Sequence, residues 1–429
     1  MLKKIRTEMG HFKSQTHNFQ ILILTNMVYA LVLPVIDIFV AAYIMRNSSD
    51  TSKVVIYQLA IYTGIPLTFL LNGFLLKHFN IRKLYSAGMM LSGVSMIIMM
   101  SLKTLDLTGI GIAGITMGLS FGLYWSNRDY LALAITNDEN RNYYYGLETF
   151  MYTIIAIAIP ATIGWFIQSK TGEAEKHTAY LIITGIVFLI TITASIVCFR
   201  GSFENPTQKK YIFFKFHSLW YKLLSLATFK GLAQGFLVTA PAMLIFKLLG
   251  EEGALGKAQS IGAVLAAIII YLLGRFSKPS DRIKIFSAGL VLFALGACLN
   301  GLLYNKTGVI VFLLLLLIAK PLMDLAYFPI QLKVIDIVSR IEKRGEFTYI
   351  LNHEAGLYLG RLLGAGTFLV LYYSISEDFA LRYAIGIIAL LQLCSVYISK
   401  NIIAEGNLFS PDEPVINPKV MSEVTEKLV

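Results

Sequence analysis

The sequence predicts an all-α membrane protein: twelve transmembrane helices in two pseudo-symmetric six-helix bundles. Three observations predict it. The chain is 56% hydrophobic and only 15% charged, against roughly 25% charged in an ordinary globular domain. Apolar runs of about 20 residues, the length that crosses a bilayer, recur along almost all of it. They lack a period-two alternation, so in hydrocarbon the backbone satisfies its hydrogen bonds as α-helices rather than as a β-barrel. Third, one stretch occurs twice. Residues 73–88 read GFLLKHFNIRKLYSAG and residues 274–289 read GRFSKPSDRIKIFSAG, at an offset of 201. Gly73 matches Gly274, Lys77 matches Lys278, and KLYSAG from Lys83 matches KIFSAG from Lys284. A repeat near half the chain length implies two similar halves.

The expected spans are 19–45, 54–76, 84–102, 107–135, 144–168 and 178–199, then 219–247, 254–276, 283–303, 308–337, 347–374 and 379–402. They divide the chain into an N-terminal bundle (1–200), a cytoplasmic linker (201–218), a C-terminal bundle (219–404) and a flexible cytoplasmic tail (405–429). The linker carries Lys209, Lys210 and Lys215, and the tail carries Pro411, Pro414 and Pro418 among mixed charges. The first apolar run is too long for a signal peptide and has no small-residue cleavage site, so it reads as a retained helix.

The net charge of +11 could suggest nucleic acid, but its placement argues for topology instead. With a cytoplasmic N-terminus, 24 of the 37 Lys and Arg fall in cytoplasmic segments, nine outside and four within spans. That is the positive-inside bias, which reports topology; the expected location is the cytoplasmic (inner) membrane, with both termini cytoplasmic. Cys198, Cys298 and Cys394 sit far apart in apolar spans, without metal spacing or a disulfide framework. The six histidines show no HExxH pattern, and there is no phosphate loop to support ATP-driven transport. Neither an enzyme site, nor a cofactor, nor a metal is expected. The partners expected are a small solute or amphiphile, protons and membrane lipids, with the protein a monomer and no nucleic acid bound.

Twelve spans, a six-plus-six repeat and a basic hinge after the second and eighth spans resemble the major facilitator superfamily over residues 15–402. That family's hinge reads Gly, three residues, Asp, a basic residue, any residue, Gly, then two basic residues. Here Gly73 matches, Lys77 stands where the acid belongs, His78 takes the basic position, Asn80 replaces the second Gly, and Ile81 and Arg82 follow. In the second copy Gly274 and Arg282 match, while Lys278 and Asp281 do not. The Arg and Gly that drug–proton antiporters carry in the fourth span have no counterpart near Gly114 to Gly118, and their fifth-span motif survives only as Pro160 and Gly164. The resemblance implies a secondary transporter, with drug efflux disfavoured. Such proteins rock two bundles about a site near the bilayer midplane. The hinge residues Gly73, Lys77, Arg82, Lys83, Gly274, Lys278, Arg282 and Lys284 would then latch the cytoplasmic side.

An ionisable group inside a bilayer costs several kcal/mol unless it faces a cavity or a partner, so each is a functional candidate. In the first span Asn26, Tyr29, Leu33 and Asp37 lie close to one face, with Pro34 loosening the helix beside Asp37. Asp37 is either a cavity carboxylate or a residue reaching water at the outer mouth. In the fourth span Trp125 and Asp129 share one face, and Tyr124 and Arg128 the next. A short loop brings Glu148 within reach of Arg128 or Asp129, either as an ion pair closing an inner gate or as a substrate contact. In the second half Lys230 and Gln234 are spaced i, i+4, as are Lys320 and Asp324. Glu354, Tyr358 and Arg361 share one face, and Glu354 takes the place Glu148 holds in its half.

The candidate substrate-binding residues are thus Tyr29, Asp37, Trp125, Arg128, Lys230, Gln234, Lys320, Tyr358 and Arg361. The candidate proton-coupling or gating residues are Asp37, Asp129, Glu148, Asp324 and Glu354. Mixed signs fit a small anionic or zwitterionic solute moved with protons, or charges that neutralise one another and rearrange as gates. Gly111, Gly114, Gly118 and Gly122, and Gly356, Gly360, Gly364 and Gly366, read as helix-packing stripes. His78 and His353 read as interfacial residues at cytoplasmic helix ends. Two other function classes stay open: a transporter of lipids or amphiphiles on the same fold, and a non-transporting membrane receptor or scaffold.

Overall fold

The computed structural model describes residues 10–48, 50–102, 104–136, 140–205, 213–249, 252–276 and 279–407. Lys278, Lys209, Lys210 and the tail from residue 408 lie outside the described residues. The chain runs as twelve helical passes, and among the described residues there is no strand. They are α1 (His17–Ser48), α2 (Thr51–Leu75), α3 (Ile81–Ser101), α4 (Leu107–Ile135), α5 (Arg141–Gln168), α6 (Glu173–Cys198), α7 (Ser218–Leu249), α8 (Glu252–Phe276), α9 (Arg282–Leu303), α10 (Lys306–Glu342), α11 (Glu346–Ser374) and α12 (Glu377–Asn407). Eleven are long and apolar enough to cross a membrane, and in α8 the described apolar stretch is Gly256–Ile269. The protein is an integral membrane protein. Exposed Leu, Ile, Phe and Val side chains cover its flanks, as hydrocarbon requires.

Local sequence starts the helices sharply. Asp50, Asn80, Asp106, Asn305 and Ser376 each accept a hydrogen bond from a backbone N–H in the first turn of α2, α3, α4, α10 and α12. Such caps satisfy donors that the helix itself leaves unpaired. Tyr304 and Lys343 end α9 and α10 in the left-handed region, at φ 35° and 50°. Within α1 the regular helix stops at Ala30, and Pro34 precedes a π-helical turn, Val35–Phe39, before α-helix resumes at Val40.

Glycines set which helices come closest. A Cβ on Gly118 would lie 2.3 Å from the Ile61 carbonyl oxygen, and one on Gly114 2.7 Å from that of Tyr57, so α4 lies directly on α2. Gly231, Gly360 and Gly364 do the same for α7 and α11, with backbone oxygens of the facing helix at 2.2, 2.0 and 2.0 Å from the added carbon. Gly88 fits against α4, and its repeat partner Gly289 against α10. Gly111 and Gly366 differ from the sequence reading: an added Cβ at either meets nothing within 4 Å, so they stand off the packing stripes.

An even number of passes puts the start of α1, the end of α6, the start of α7 and the end of α12 at one end, here the termini face. The linker is tied to both halves there. Asn18 and Ser202 exchange side-chain-to-backbone bonds, and the Asn205 amide donates to the Leu76 and Phe79 carbonyls at 2.7 and 2.8 Å. On the other half, Arg344 donates to the Lys215 carbonyl at 2.7 Å, and the His217 N–H donates to Glu342.

The two halves join chiefly toward the opposite, far face. There Tyr372 donates to Asp50 at 3.0 Å, Thr51 to Glu377 at 3.0 Å, and Tyr373 to Ser52 at 3.3 Å. Lys247 of α7 pairs with the same Glu377 at 2.7 Å. Between α5 and α8, Ser260 donates to the Ile157 carbonyl at 2.6 Å, and a Cβ on Gly256 would lie 2.4 Å from the Pro160 carbonyl oxygen. At mid-depth Tyr62 of α2 donates to the Gln234 carbonyl of α7 at 2.9 Å, and Tyr358 of α11 to Thr63 at 3.3 Å. At the termini face no hydrogen bond or ion pair between described residues crosses from one half to the other. In the first hinge Arg82 donates to the Phe199 and Gly201 carbonyls at 3.1 and 2.9 Å and so caps α6. Lys77, Lys83 and Lys284 are exposed, Arg282 is half-buried, and Gly73 and Gly274 lie within α2 and α8.

Candidate functional site

The intramembrane charges of the first half form one compact web. Arg128 of α4 is clamped by Glu148 of α5, through Nε at 3.2 Å and a second, closer bond from its terminal nitrogen, and it pairs with Asp129 at 2.6 Å. Glu148 is 3% exposed, so the carboxylate is held by partners rather than by water. Asn26 of α1 completes the web: its amide donates to Glu148 at 2.8 Å and to Tyr144 at 2.9 Å, and its carbonyl accepts from Tyr85. The aromatic groups Trp125 and Tyr145 lie under the guanidinium at 5.8 and 5.7 Å, and Tyr124 and Tyr152 share a hydrogen bond at 3.1 Å. The Arg128–Glu148 meeting expected from the short loop is present. All its members belong to α1, α3, α4 and α5, so it is an internal strut of one half and does not bridge the halves.

The second half neutralises two cations in the same way. Lys230 of α7 pairs with Asp324 of α10 at 3.0 Å, and its ammonium lies 3.9 Å from both the Tyr327 and Phe328 ring centres. Asp324 therefore does not serve Lys320, its i, i+4 neighbour. A facing helix offers a cation that two aromatic rings already hold in place. Arg361 pairs with Glu354 two turns away on α11, donates from Nε to the Gln234 amide oxygen at 3.1 Å, and stacks over Tyr62 of the other half at 4.9 Å. His353, read from the sequence as interfacial, is instead buried and shares a 2.6 Å hydrogen bond with Tyr327.

Two charges remain. Asp37 and Lys320 are both exposed, and no hydrogen bond or ion pair joins either to another described residue. Asp37 sits on the π-helical turn of α1, and every other residue from Val35 to Met45 is buried. Asp37 is thus the accessible position on an otherwise buried stretch of α1. Lys320 of α10 is near enough for the two charges to act on each other. The ring hydroxyls of Tyr29, Tyr57 and Tyr62 also lie within the field of Asp37. Tyr62 is committed to Gln234, whereas the buried Tyr29 and Tyr57 hydroxyls approach Ser92, Ser120 and Ser95 without completing a hydrogen bond. The sequence reading did not single out Tyr57 or Tyr62, because aromatic residues on membrane helices ordinarily pack or anchor at the interface. Among the described residues no cluster of His, Cys, Asp and Glu could hold a metal ion.

A twelve-pass helical protein with glycine-tight helix pairs and two tied halves belongs to the class of polytopic membrane proteins. The family model described as Major Facilitator Superfamily matches residues 21–365. This chain belongs to the major facilitator superfamily, whose members are transporters rather than enzymes. It is 23% identical over 381 residues to the uncharacterized protein YqgE of Bacillus subtilis (strain 168), covering 87% of each chain. It is also 24% identical over 159 residues to an uncharacterized protein in the sodM 3' region of Geobacillus stearothermophilus, covering 37% of this chain and 74% of the relative.

Proposed function

We propose that this transporter carries a small anionic or zwitterionic solute across the cytoplasmic membrane by alternating access, driven by protons, with both termini cytoplasmic. One observation carries the reading. Of the intramembrane charges, Asp37 and Lys320 alone combine accessibility with the lack of a partner among the described residues, and they stand on opposite halves of the molecule. Charges left unpaired in a membrane interior are costly unless they meet a ligand or water. The bonds between described residues of the two halves support an inward-open state, since they lie at mid-depth and toward the far face. Closing the termini face and breaking the far-face bonds would expose the same pair to the other side.

Asp37 is the carboxylate best placed to take up a proton, because Asp129, Glu148, Asp324 and Glu354 are each engaged by a cation. Reconstitution tests this. Proteoliposomes with a trapped pH dye should acidify when a solute that stabilises the purified protein is added outside, and Asp37→Asn should abolish the acidification. Uptake of that solute at an unchanged rate after the proton gradient is collapsed would overturn the coupling.

A further inference from the structure

We infer that the second half holds an anionic phospholipid at the termini face, its phosphate taken by Arg282 and Lys333 and an acyl chain laid along isoleucines. The inference goes beyond the transport reading and does not depend on which solute is carried. A cavity of about 230 Å³ lies between the start of α9, the last third of α10 and the end of α12. That is below the roughly 300–1,000 Å³ of sites that enclose a whole drug-sized molecule, and it suits a headgroup with the first stretch of one chain. Its walls are apolar: Ile283 of α9, Ile330, Val334 and Ile337 of α10, and Ile402 and Ile403 of α12. Arg282 and Lys333 also line it, and no carboxylate does. These cations are not spent on acids of the protein. Arg282 is half-buried, and no hydrogen bond or ion pair joins it to another described residue. Lys333 donates to a neutral partner, the Asn407 amide oxygen, at 2.7 Å. Of the carboxylates nearby in sequence, Asp281 and Asp336 do not line the cavity, and Glu405 is taken by Lys222 and Ser218.

The internal repeat sharpens the contrast. At an offset of 201 the counterpart of Arg282 is Ile81, the first residue of α3. There the chain itself supplies the bonds. The Asn205 amide oxygen accepts from the Ile81 N–H at 2.7 Å, and Arg82 is committed to carbonyls at the end of α6. The second half presents an uncommitted guanidinium at the matching place. Location and chemistry then select the ligand. Arg282 begins α9 and Asn407 ends α12, so the cavity lies where two helices meet the membrane surface, on the face read above as cytoplasmic. Anionic lipids give the cytoplasmic leaflet its negative potential, and basic pockets between membrane helices on that side receive their headgroups. A free phosphate would answer the two cations and leave the isoleucines wet, and a neutral apolar chain would do the reverse. A phospholipid of net negative charge answers both, whereas a zwitterionic one brings its own ammonium group beside two cations.

The test is native mass spectrometry of the full chain in detergent, titrated with dioleoyl phosphatidylglycerol or dioleoyl phosphatidylcholine, which share their acyl chains and differ in net charge. Each lipid is read against the native protein, against Arg282→Gln/Lys333→Gln, and against Lys77→Gln/Lys83→Gln, which removes as much charge from exposed positions of the other half. The native protein should hold one phosphatidylglycerol about 10- to 100-fold more tightly than phosphatidylcholine, the range for two cations at an anionic membrane surface. The Arg282/Lys333 variant should lose that preference and the Lys77/Lys83 variant should keep it. Ile403→Trp fills the cavity and leaves both cations in place, so it should weaken phosphatidylglycerol as well, and it decides should the double variant aggregate. Equal binding of the two lipids by the native protein would overturn the site, as would an equal loss in the Lys77/Lys83 variant. Glycerol 1-phosphate binding as tightly as phosphatidylglycerol would also overturn the lipid and assign the cavity to a soluble phosphate.

Discussion

Replacing Glu148 by Gln leaves the Arg128 guanidinium with Asp129, a half-exposed carboxylate, as its remaining counter-charge. Removing one partner of a buried ion pair costs about 3–5 kcal/mol, while replacing both by apolar groups of similar volume is often close to neutral. Glu148→Gln should therefore lower the melting temperature markedly in a thermal unfolding scan, and the double variant Arg128→Met/Glu148→Leu should recover much of the loss. A double variant as unstable as the single one would deny that the web is mainly a structural strut. At this scale the sequence was readable where one short loop joined the partners, as for Arg128 and Glu148. It was not readable where pairing depends on how two distant helices rotate against each other. Spacing put Lys320 and Asp324 on one face of α10, but only the orientation of α7 shows that Lys230 is the cation paired with that carboxylate. His353 was misread for the same reason: its distance from the helix end was visible, but the Tyr327 hydroxyl awaiting it was not.

Among helices, the tightest pairs follow from glycines. Gly118 and Gly360 each face a backbone oxygen that a Cβ would approach within 2.3 and 2.0 Å. Forcing extra carbon into such a seam costs about 1–3 kcal/mol. Gly118→Val and Gly360→Val should each lower thermal stability by that order, whereas Gly111→Ala and Gly366→Ala should leave it unchanged or slightly raised, since alanine is the better helix former. Equal loss at all of these positions would contradict the seams drawn here. The stripes themselves were legible as small residues at intervals of three and four. Which rung of each stripe touches its neighbour was not, because a helix carries its stripe past the point where the two axes diverge.

For the molecule as a whole, the decisive asymmetry is that the bonds between described residues of the two halves lie at mid-depth and toward the far face. Thr51→Cys/Glu377→Cys, in a chain whose native cysteines are replaced by serine, should react with a short bifunctional thiol reagent, because the native side chains meet at 3.0 Å. The cross-linked protein should still bind solute from the termini face but no longer complete transport. Unimpaired transport after complete cross-linking would rule out a far-face opening between α2 and α12. The architecture at this scale was the most legible of all, since twelve apolar runs and a repeat at 201 residues define it from composition and periodicity alone. Which end of the seam is bonded was not legible, because it depends on how the two halves tilt against each other and not on which residues form the helices.

The π-helical turn of α1 has a consequence for how such a chain can change over generations. A π turn holds one residue more than an α-helix of equal reach, and it persists mostly where it serves a function. Deleting a single residue from Val35 to Phe39 would restore uninterrupted α-helix and swing the two ends of α1 by about 100° relative to each other. Asn26 would then leave the Arg128 web, or Arg46 would leave Glu173 and the ring of Phe246. Substitutions in this helix can be absorbed one at a time, but a change in its length cannot. A descendant of this gene is therefore free to replace Asp37, yet not to shorten the helix that presents it.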